Sequence, residues 1–258
     1  MRLTLLLQHR SGQTLPINYQ WLISSWIYRT LEKTNPAFSK WLHDHGFGYG
    51  KKRYKLFTFG QLRPRKFAIG QSQTFVLKEG PTRLDLSFAV PDALQHFIIG
   101  LFEGQDFYLS SGVFRVDFRV LEVQMKQAPR FQDHMRFRLL TPICVSRRGI
   151  HEKYAQYLHP ATEGYADILM RNLLHKSHSL QPQPMAVGTE PSPLDFDFHF
   201  RPISQVRSKL LRIHGNNIRG YQFDFEASAP PELLRMGYYA GFGERNSNLG
   251  MGMVNVLK

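Results

Sequence analysis

The sequence predicts an α+β protein made of two successive βαββαβ units, and two observations support this prediction. Apolar residues recur with strand and helix spacing in the same element order twice along the 258-residue chain. The hydrophobic content of 42%, with twenty phenylalanines, is ample for a packed core in each of two small domains. We therefore expect two tandem ferredoxin-like (RRM-like) domains.

The first unit is expected to occupy residues 1–128. Alternating apolar residues predict strands at 2–8, 55–62, within 74–90, and at 113–124, and helical spacing predicts helices at 18–34 and 91–103. Asn35 and Pro36 supply an N-cap and a first-turn proline for a further short helix that ends near Gly46.

The second unit is expected to occupy residues 129–258, with the domain boundary near 126–132. Its predicted strands are 135–145, 194–201, 221–227 and 253–257, and its predicted helices are 161–175 and 230–239. The prolines of 181–193 indicate a loop.

Charge favours a polyanionic partner. The chain has 33 Lys and Arg against 20 Asp and Glu, a net charge of +13. A basic protein without such a partner is the alternative. Cys144 is the only cysteine, which excludes an intrachain disulfide or a cysteine zinc site. The apolar start of the chain is too short for a signal peptide, and no stretch has the length of a membrane helix, so a cytoplasmic location is expected.

A glycine-rich segment near the C-terminus carries the most specific pattern. Gly241, Gly243, Gly250 and Gly252 flank a polar centre at 244–248. Glycine lets main-chain N–H groups approach a phosphate, but the predicted order, helix then strand, is the reverse of a dinucleotide-binding loop. The segment therefore favours contact with a nucleic acid backbone.

Two interpretations of this segment stay open at individual positions. Arg245, Asn246 and Ser247 offer side-chain donors to phosphate or sugar. Gly250 and Gly252 are instead expected to pack the last strand closely against the other domain.

Few residue patterns indicate catalysis. There is no zinc-protease motif or nucleophile elbow, and carboxylates are scarce, which leaves histidine, tyrosine and lysine. His175 and His178 lack nearby metal-ligand partners and are expected to face solvent. On the short helix after Pro36, helical spacing places His45 on the apolar face as a packing residue and His43 on the polar face, free for a substrate.

The helix before it and the loop after it add further candidates. Tyr28 lies beside an apolar stripe, where a tyrosine at the edge of the core is the simplest interpretation. The loop that follows the short helix carries Lys51, Lys52 and Arg53, which form either a solvated charge run or an electropositive rim. In the second case Tyr49 and Tyr54 would be available for base stacking.

These segments together resemble the CRISPR-associated endoribonucleases that process precursor CRISPR RNA, members of the repeat-associated mysterious protein superfamily. The resemblance rests on 15–19, 26–28, 41–46, 55–59 and, most specifically, the glycine segment 241–252, in this order along the chain. Residues 142–149 also resemble the family's segment that opens the second domain.

The resemblance implies two ferredoxin-like domains that bind CRISPR repeat RNA and cut it without metal or another cofactor. The ribose 2′-hydroxyl would attack the adjacent phosphate and leave 2′,3′-cyclic phosphate and 5′-hydroxyl ends. By motif position the family's histidine, tyrosine and lysine fall on His43, Tyr28 and Lys55. His43 would act as general acid/base, Lys55 would stabilise phosphoryl charge, and Tyr28 would orient the phosphate or assist proton transfer.

The resemblance also leaves alternatives. Gly60 stands where the family often has serine, and Lys51 or Lys52 could replace Lys55 as the catalytic lysine. The expected RNA contacts are Lys51, Lys52, Arg53, Arg147, Arg148, Gly241, Gly243, Arg245, Asn246 and Ser247. Other subunits of a CRISPR effector complex are further candidate partners. The main alternative function is a repeat-RNA-binding subunit that does not cut. An unrelated RRM-like module is disfavoured, because 114–118 is a poor RNP1 match.

Overall fold

The computed structural model describes residues 1–149, 154–181, 198–213 and 215–257. In the first half the strands are β1 (Arg2–His9), β2 (Thr14–Pro16), β3 (Phe47–Tyr49), β4 (Lys52–Tyr54), β5 (Phe57–Phe59), β6 (Arg63–Pro64), β7 (Phe67–Gly70), β8 (Thr74–Leu77), β9 (Thr82–Phe88), β10 (Asp106–Ser111) and β11 (Phe114–Met125). The helices are α1 (Gln20–Thr34), α2 (Pro36–Asp44) and α3 (Pro91–Glu103), with a 3-10 turn at Gln71–Gln73.

In the second half the strands are β12 (His134–Leu139), β13 (Ser146–Arg147), β14 (Gln156–Tyr157), β15 (His199–Pro202), β16 (Arg207–Ile213), β17 (Asn216–Gln222), β18 (Asp224–Ser228) and β19 (Val254–Val256). The helices are α4 (Tyr165–His178), α5 (Pro231–Ala240) and α6 (Asn246–Leu249). Within the described ranges, no helix combines the length and apolar character needed to cross a membrane.

The large sheet of the first half, which also includes β2, β6, β7, β8 and β10, contains the strand order β5-β9-β1-β11, and every neighbouring pair in that order is antiparallel. This is the second, third, first and fourth strand of a βαββαβ unit. Alternation along β1 buries Leu3, Leu5 and Leu7 fully, and α1 and α3 bury their apolar sides in the same core.

The second sheet repeats this order as β15-β18-β12-β19, again antiparallel, and its core holds the apolar residues of α4 and α5. The predicted α+β fold of two ferredoxin-like units is confirmed. The proposed boundary after residue 128 lies in the segment between β11 and β12 and remains a prediction.

Several predicted elements differ in extent for identifiable reasons. The strand region 74–90 is two strands, since Gly80, with a φ of +109°, and Pro81 form a break between β8 and β9. The strand predicted at 135–145 ends at Leu139, and Ile143 and Cys144 beyond it make only isolated bridges. The β16–β17 hairpin was not predicted. The predicted loop 181–193 lies outside the described residues except Gln181.

The two domains are joined by buried contacts. The guanidinium of Arg2, on β1, donates hydrogen bonds to the main-chain oxygens of Val254 at 2.5 Å and Tyr238 at 2.6 Å, and it lies 3.7 Å from the centre of the Tyr238 ring. On β5, the Thr58 hydroxyl donates to the main-chain oxygen of Met251 at 3.1 Å. The Thr58 contact holds the glycine segment against the sheet of the first domain, and the Arg2 contacts hold α5 and β19 on either side of that segment.

Candidate active site and nucleic-acid interface

A cleft of about 780 Å³ lies between the two domains and contains the three residues with predicted catalytic roles. The first domain lines it with Ser24, Ser25, Tyr28, His43, Lys52, Arg53, Tyr54, Lys55, Leu56 and Phe57. The second domain lines it with Asn172, Lys176, Ala240, Gly243, Glu244, Arg245, Asn246, Ser247 and Asn248. Residues distant in sequence therefore share one concave, basic surface.

His43 is placed by the short helix α2. The side chain of Asn35 accepts a hydrogen bond from the Phe38 amide at 2.9 Å, as the predicted N-cap requires, and His43 follows in the last turn. Its side chain is 68% exposed, and Nδ1 lies 3.0 Å from Oδ1 of Asp44. This hydrogen bond is the main cause that lowers the pKa of the Asp44 carboxyl. The other ring nitrogen, Nε2, is left for a substrate.

Lys55 lies directly after β4 and touches the same helix. Its ammonium donates a 2.6 Å hydrogen bond to the main-chain oxygen of His43. Partial burial lowers the pKa of Lys55, with Arg53 acting in the same direction and Asp44 opposing. The lysine and the histidine are therefore held side by side.

Tyr28 completes the group from α1. Its half-buried ring meets the His43 ring edge to face, with centroids 5.1 Å apart, and packs against Phe57 at 5.7 Å. Burial raises the pKa of the Tyr28 phenol well above its usual value. At neutral pH this hydroxyl is protonated and can donate a hydrogen bond to an anion.

The β3–β4 hairpin presents the predicted basic rim. Lys51, Lys52 and Arg53 are all exposed, and the last two line the cleft. Arg53 is folded back, donating to the main-chain oxygens of Gly50 at 2.8 Å and Lys52 at 2.9 Å.

The prediction that Tyr49 is available for base stacking is wrong. Tyr49 is only 8% exposed, because its ring stacks on His175 at 4.8 Å and lies 5.4 Å from His178, both on α4. The same contacts correct the expectation that these histidines face solvent, since both are half-buried. Tyr54 is half-buried as well, and burial raises the pKa of its phenol.

The glycine segment is a compact loop that includes α6. Arg245, with a φ of +60°, is exposed, Ser247 is half-exposed, and both line the cleft. Asn246 is buried: its amide nitrogen donates to Phe242 O at 3.1 Å and Met251 O at 2.8 Å, and its side-chain oxygen accepts from Lys176 at 2.7 Å. Its side-chain hydrogen bonds are therefore made inside the loop rather than toward the cleft.

Gly250 packs closely against the other domain as expected, whereas Gly252 packs against Phe242 of its own domain. A Cβ at Gly250 would collide with the main chain and ring of Phe59, and a Cβ at Gly252 with the main chain of Phe242. Both glycines also have φ near +70°. Gly241 and Gly243 are buried, and their main-chain oxygens each accept a 2.7 Å hydrogen bond from Lys176.

Arg147 and Arg148 are exposed beside the loop but do not line the cleft. β13, which ends at Arg147, is attached to the loop by Ser146, whose hydroxyl donates to Oε2 of Glu244 at 2.7 Å.

Helical spacing also placed His45 wrongly, and it did not single out Lys176. His45 is exposed, not packed, because α2 ends at Asp44 and helical spacing no longer applies beyond it. Lys176 was not singled out, although it follows Leu169 and Leu173 on the apolar side of α4. A lysine at that spacing was the available signal. Within the described ranges, no three His, Cys, Asp or Glu residues are grouped to hold a metal.

Comparison with known proteins identifies relatives over nearly the whole chain. The family model "CRISPR associated protein Cas6, C-terminal" matches residues 124–256, and "CRISPR-associated protein Cas6, N-terminal" matches 14–124. The chain is similar to CRISPR-associated endoribonuclease Cas6 1 of Methanocaldococcus jannaschii, with 28% identity over 98% of this chain and 92% of the relative.

Solved structures show the same fold. A Cas6-related protein of Pyrococcus furiosus superposes with a TM-score of 0.80 at 23% identity, covering 100% of this chain and 98% of the other. A structure described as a RAMP protein binding different RNA substrates superposes with a TM-score of 0.78 at 22% identity, covering all of both chains.

Proposed function

Because the chain belongs to the Cas6 family of CRISPR-associated proteins, we propose that it is an endoribonuclease that cuts CRISPR repeat RNA within precursor transcripts. The curated relative is named an endoribonuclease, and one structural neighbour is described as binding RNA. The observation that carries the proposal is the meeting of His43, Lys55 and Tyr28 in a basic cleft between two RRM-like domains.

The proposed reaction uses the RNA as its own nucleophile. The 2′-oxygen bonds to the adjacent phosphorus as the bond from phosphorus to the 5′-oxygen breaks. The 2′-hydroxyl loses its proton and the departing 5′-oxygen gains one, giving 2′,3′-cyclic phosphate and 5′-hydroxyl ends. No metal takes part in this scheme.

Each cleft residue has an assigned role in these steps. His43 exchanges protons with the reacting oxygens through Nε2, while Asp44 fixes its ring through Nδ1. Lys55 supplies positive charge beside the phosphoryl oxygens. Tyr28, held neutral by its raised pKa, donates a hydrogen bond to the scissile phosphate and does not serve as the base.

The RNA backbone is proposed to follow the basic surface across both domains. The hairpin contributes Lys51, Lys52 and Arg53, and the second domain contributes Arg147, Arg148, Arg245 and Ser247. Gly241, Gly243 and Asn246 are buried, so we propose that they support this interface by setting the shape of the loop that carries Arg245 and Ser247. Subunits of a CRISPR effector complex are proposed as additional partners.

The chemistry is tested with two repeat RNAs that differ in one atom. In EDTA, the labelled all-RNA repeat should be cut once, whereas a repeat with a single 2′-deoxyribose upstream of the scissile phosphate should bind but stay intact. Product ends are read by phosphatase and kinase treatment. Cleavage of the deoxy substrate, or a requirement for magnesium, would refute the mechanism. Binding without cleavage of either RNA would support the non-catalytic alternative.

A further inference from the structure

We propose that Lys176 is a positioning residue of this cleft: its buried ammonium holds the glycine loop in the conformation that presents Arg245 and Ser247. The effect on RNA rests on the proposed function, while the effect on the loop does not. Lys176 is only 2% exposed, so it reaches RNA through the loop and not by direct contact.

The ammonium uses all of its donors on one loop. It donates to the main-chain oxygens of Gly241 and Gly243 and to the side-chain oxygen of Asn246, each at 2.7 Å. A lysine has three N–H donors and no acceptor, so its hydrogen-bonding capacity is filled by these oxygens. The loop is wrapped around the ammonium as it would be around a bound cation.

Asn246 extends this network to the far end of the loop. Its amide nitrogen donates to the main-chain oxygens of Phe242 and Met251, so one side chain joins Lys176 to both ends of the segment. Main-chain bonds from Leu249 to Arg245 O at 3.1 Å and from Gly250 to Asn246 O at 2.7 Å then close α6. Arg245 lies inside this closed network.

A purely apolar side chain would fill the same space without the cost of burying a charge. Lys176 follows Leu169 and Leu173 on the buried side of α4, and an ammonium without solvent is expensive to bury. What the ammonium adds is a fixed position for three oxygens that would otherwise be buried without partners. It also stabilises the turn in which Arg245 adopts a φ of +60°, which a residue with a Cβ rarely adopts.

The test compares Lys176→Met with Leu173→Ala. The first removes the donors and keeps the length of the side chain, whereas the second damages the same helix on a fully buried residue outside the network. Hydrogen–deuterium exchange of residues 244–250, measured without RNA at pH 6.5, below the lowered pKa of Lys176 of about 7, should rise in Lys176→Met only. Lys176→Gln, which keeps amide donors, should show a smaller rise and serves if Lys176→Met does not fold.

RNA affinity gives the second readout, with the deoxy repeat RNA as ligand. Lys176→Met should weaken binding roughly tenfold, as expected when a charge-assisted phosphate contact is lost. In an Arg245→Ala background the same change should cost much less, since the residue that it positions is already gone. Leu173→Ala should bind as the wild type does at a temperature where it is folded.

Three results would overturn the inference. These are unchanged loop exchange in Lys176→Met, equal loss of affinity in Leu173→Ala, or losses from Lys176→Met and Arg245→Ala that multiply independently. If the wild-type protein does not bind repeat RNA at all, the proposed function fails, and loop exchange alone then decides whether Lys176 organises the loop.

Discussion

The ammonium of Lys55 donates a 2.6 Å hydrogen bond to the main-chain oxygen of His43, twelve residues earlier in the chain. The last four carbonyl groups of a helix have no partner within it, and a cation at this end is favourable. Lys55 therefore caps α2 at the turn that carries His43. One contact both places the lysine in the cleft and fixes the backbone of the histidine.

Lys55→Met should lower the single-turnover cleavage rate by about 10²–10³-fold, the usual cost of removing an electrostatic stabiliser of the transition state. Lys51→Met is the matched control, since Lys51 is exposed on the same hairpin but does not line the cleft. Single-turnover rates are measured with the enzyme in saturating excess over the labelled RNA. A larger loss in Lys51→Met or Lys52→Met than in Lys55→Met would assign the catalytic lysine elsewhere.

Lys52→Ala should weaken RNA binding and make the log–log salt dependence of affinity shallower by about 0.7–0.9. The reason is that a complex with one phosphate contact fewer releases fewer counterions when it forms. Lys78→Ala removes the same charge from an exposed turn outside the cleft and should leave the slope unchanged. Equal slopes for wild type and Lys52→Ala would place the RNA on another surface. Arg53, Arg147 and Arg148 can be tested in the same series.

The loop should separate binding from folding. Arg245→Ala combined with Ser247→Ala should reduce RNA affinity with little change in Tm, since both side chains face the cleft. Gly250→Val should instead unfold the protein, as its side chain would collide with Phe59. Thermal melts and equilibrium binding decide the matter. A polar double variant with normal affinity would remove the loop from the RNA path.

Lys176 predicts a pH-dependent stability. Burial lowers the pKa of Lys176 to about 7, with Glu244 opposing, whereas an unfolded chain keeps the usual value of 10.5. Between these values the unfolded state binds more protons, so this residue makes the free energy of unfolding rise with pH, by at most about 1.4 kcal/mol per pH unit. Below pH 7 both states bind the proton, so this residue no longer makes the free energy of unfolding depend on pH.

The check is urea unfolding of wild type and Lys176→Met at pH 6.5 and 8.5. The free energy of unfolding of wild type relative to the variant should be higher at pH 8.5, because other titrating groups cancel in the comparison. The same difference at both pH values would show that Lys176 does not titrate in this range.

Sequence alone was sufficient where the determinants are local. The N-cap at Asn35 and the alternation in β1 depend on neighbouring residues, and both are present in the structure. The prediction that His45 is packed was wrong because it depended on where α2 ends. Gly46, with a φ of +64°, helps to set that end. The prediction that Tyr49 is available for base stacking was wrong because its ring partners come from the other domain.

The sequence indicated which residues form the candidate site but not the contacts that hold them together. The motif order indicated His43, Tyr28 and Lys55, and the structure brings them into one cleft. The network around Lys176 joins residues 65 to 70 positions apart, which no spacing rule within one helix or strand could reveal. The β16–β17 hairpin has several exposed charges and little apolar alternation, so its pattern was weak.

The most direct measurement of the central claim is single-turnover cleavage of repeat RNA by His43→Ala beside His45→Ala. Both histidines are exposed and close in sequence, but only His43 lines the cleft and contacts the Tyr28 ring. His43→Ala should cut about 10²–10⁴-fold more slowly with little change in RNA affinity, while His45→Ala should cut at the wild-type rate. Cleavage by His43→Ala at the wild-type rate would contradict the proposed site.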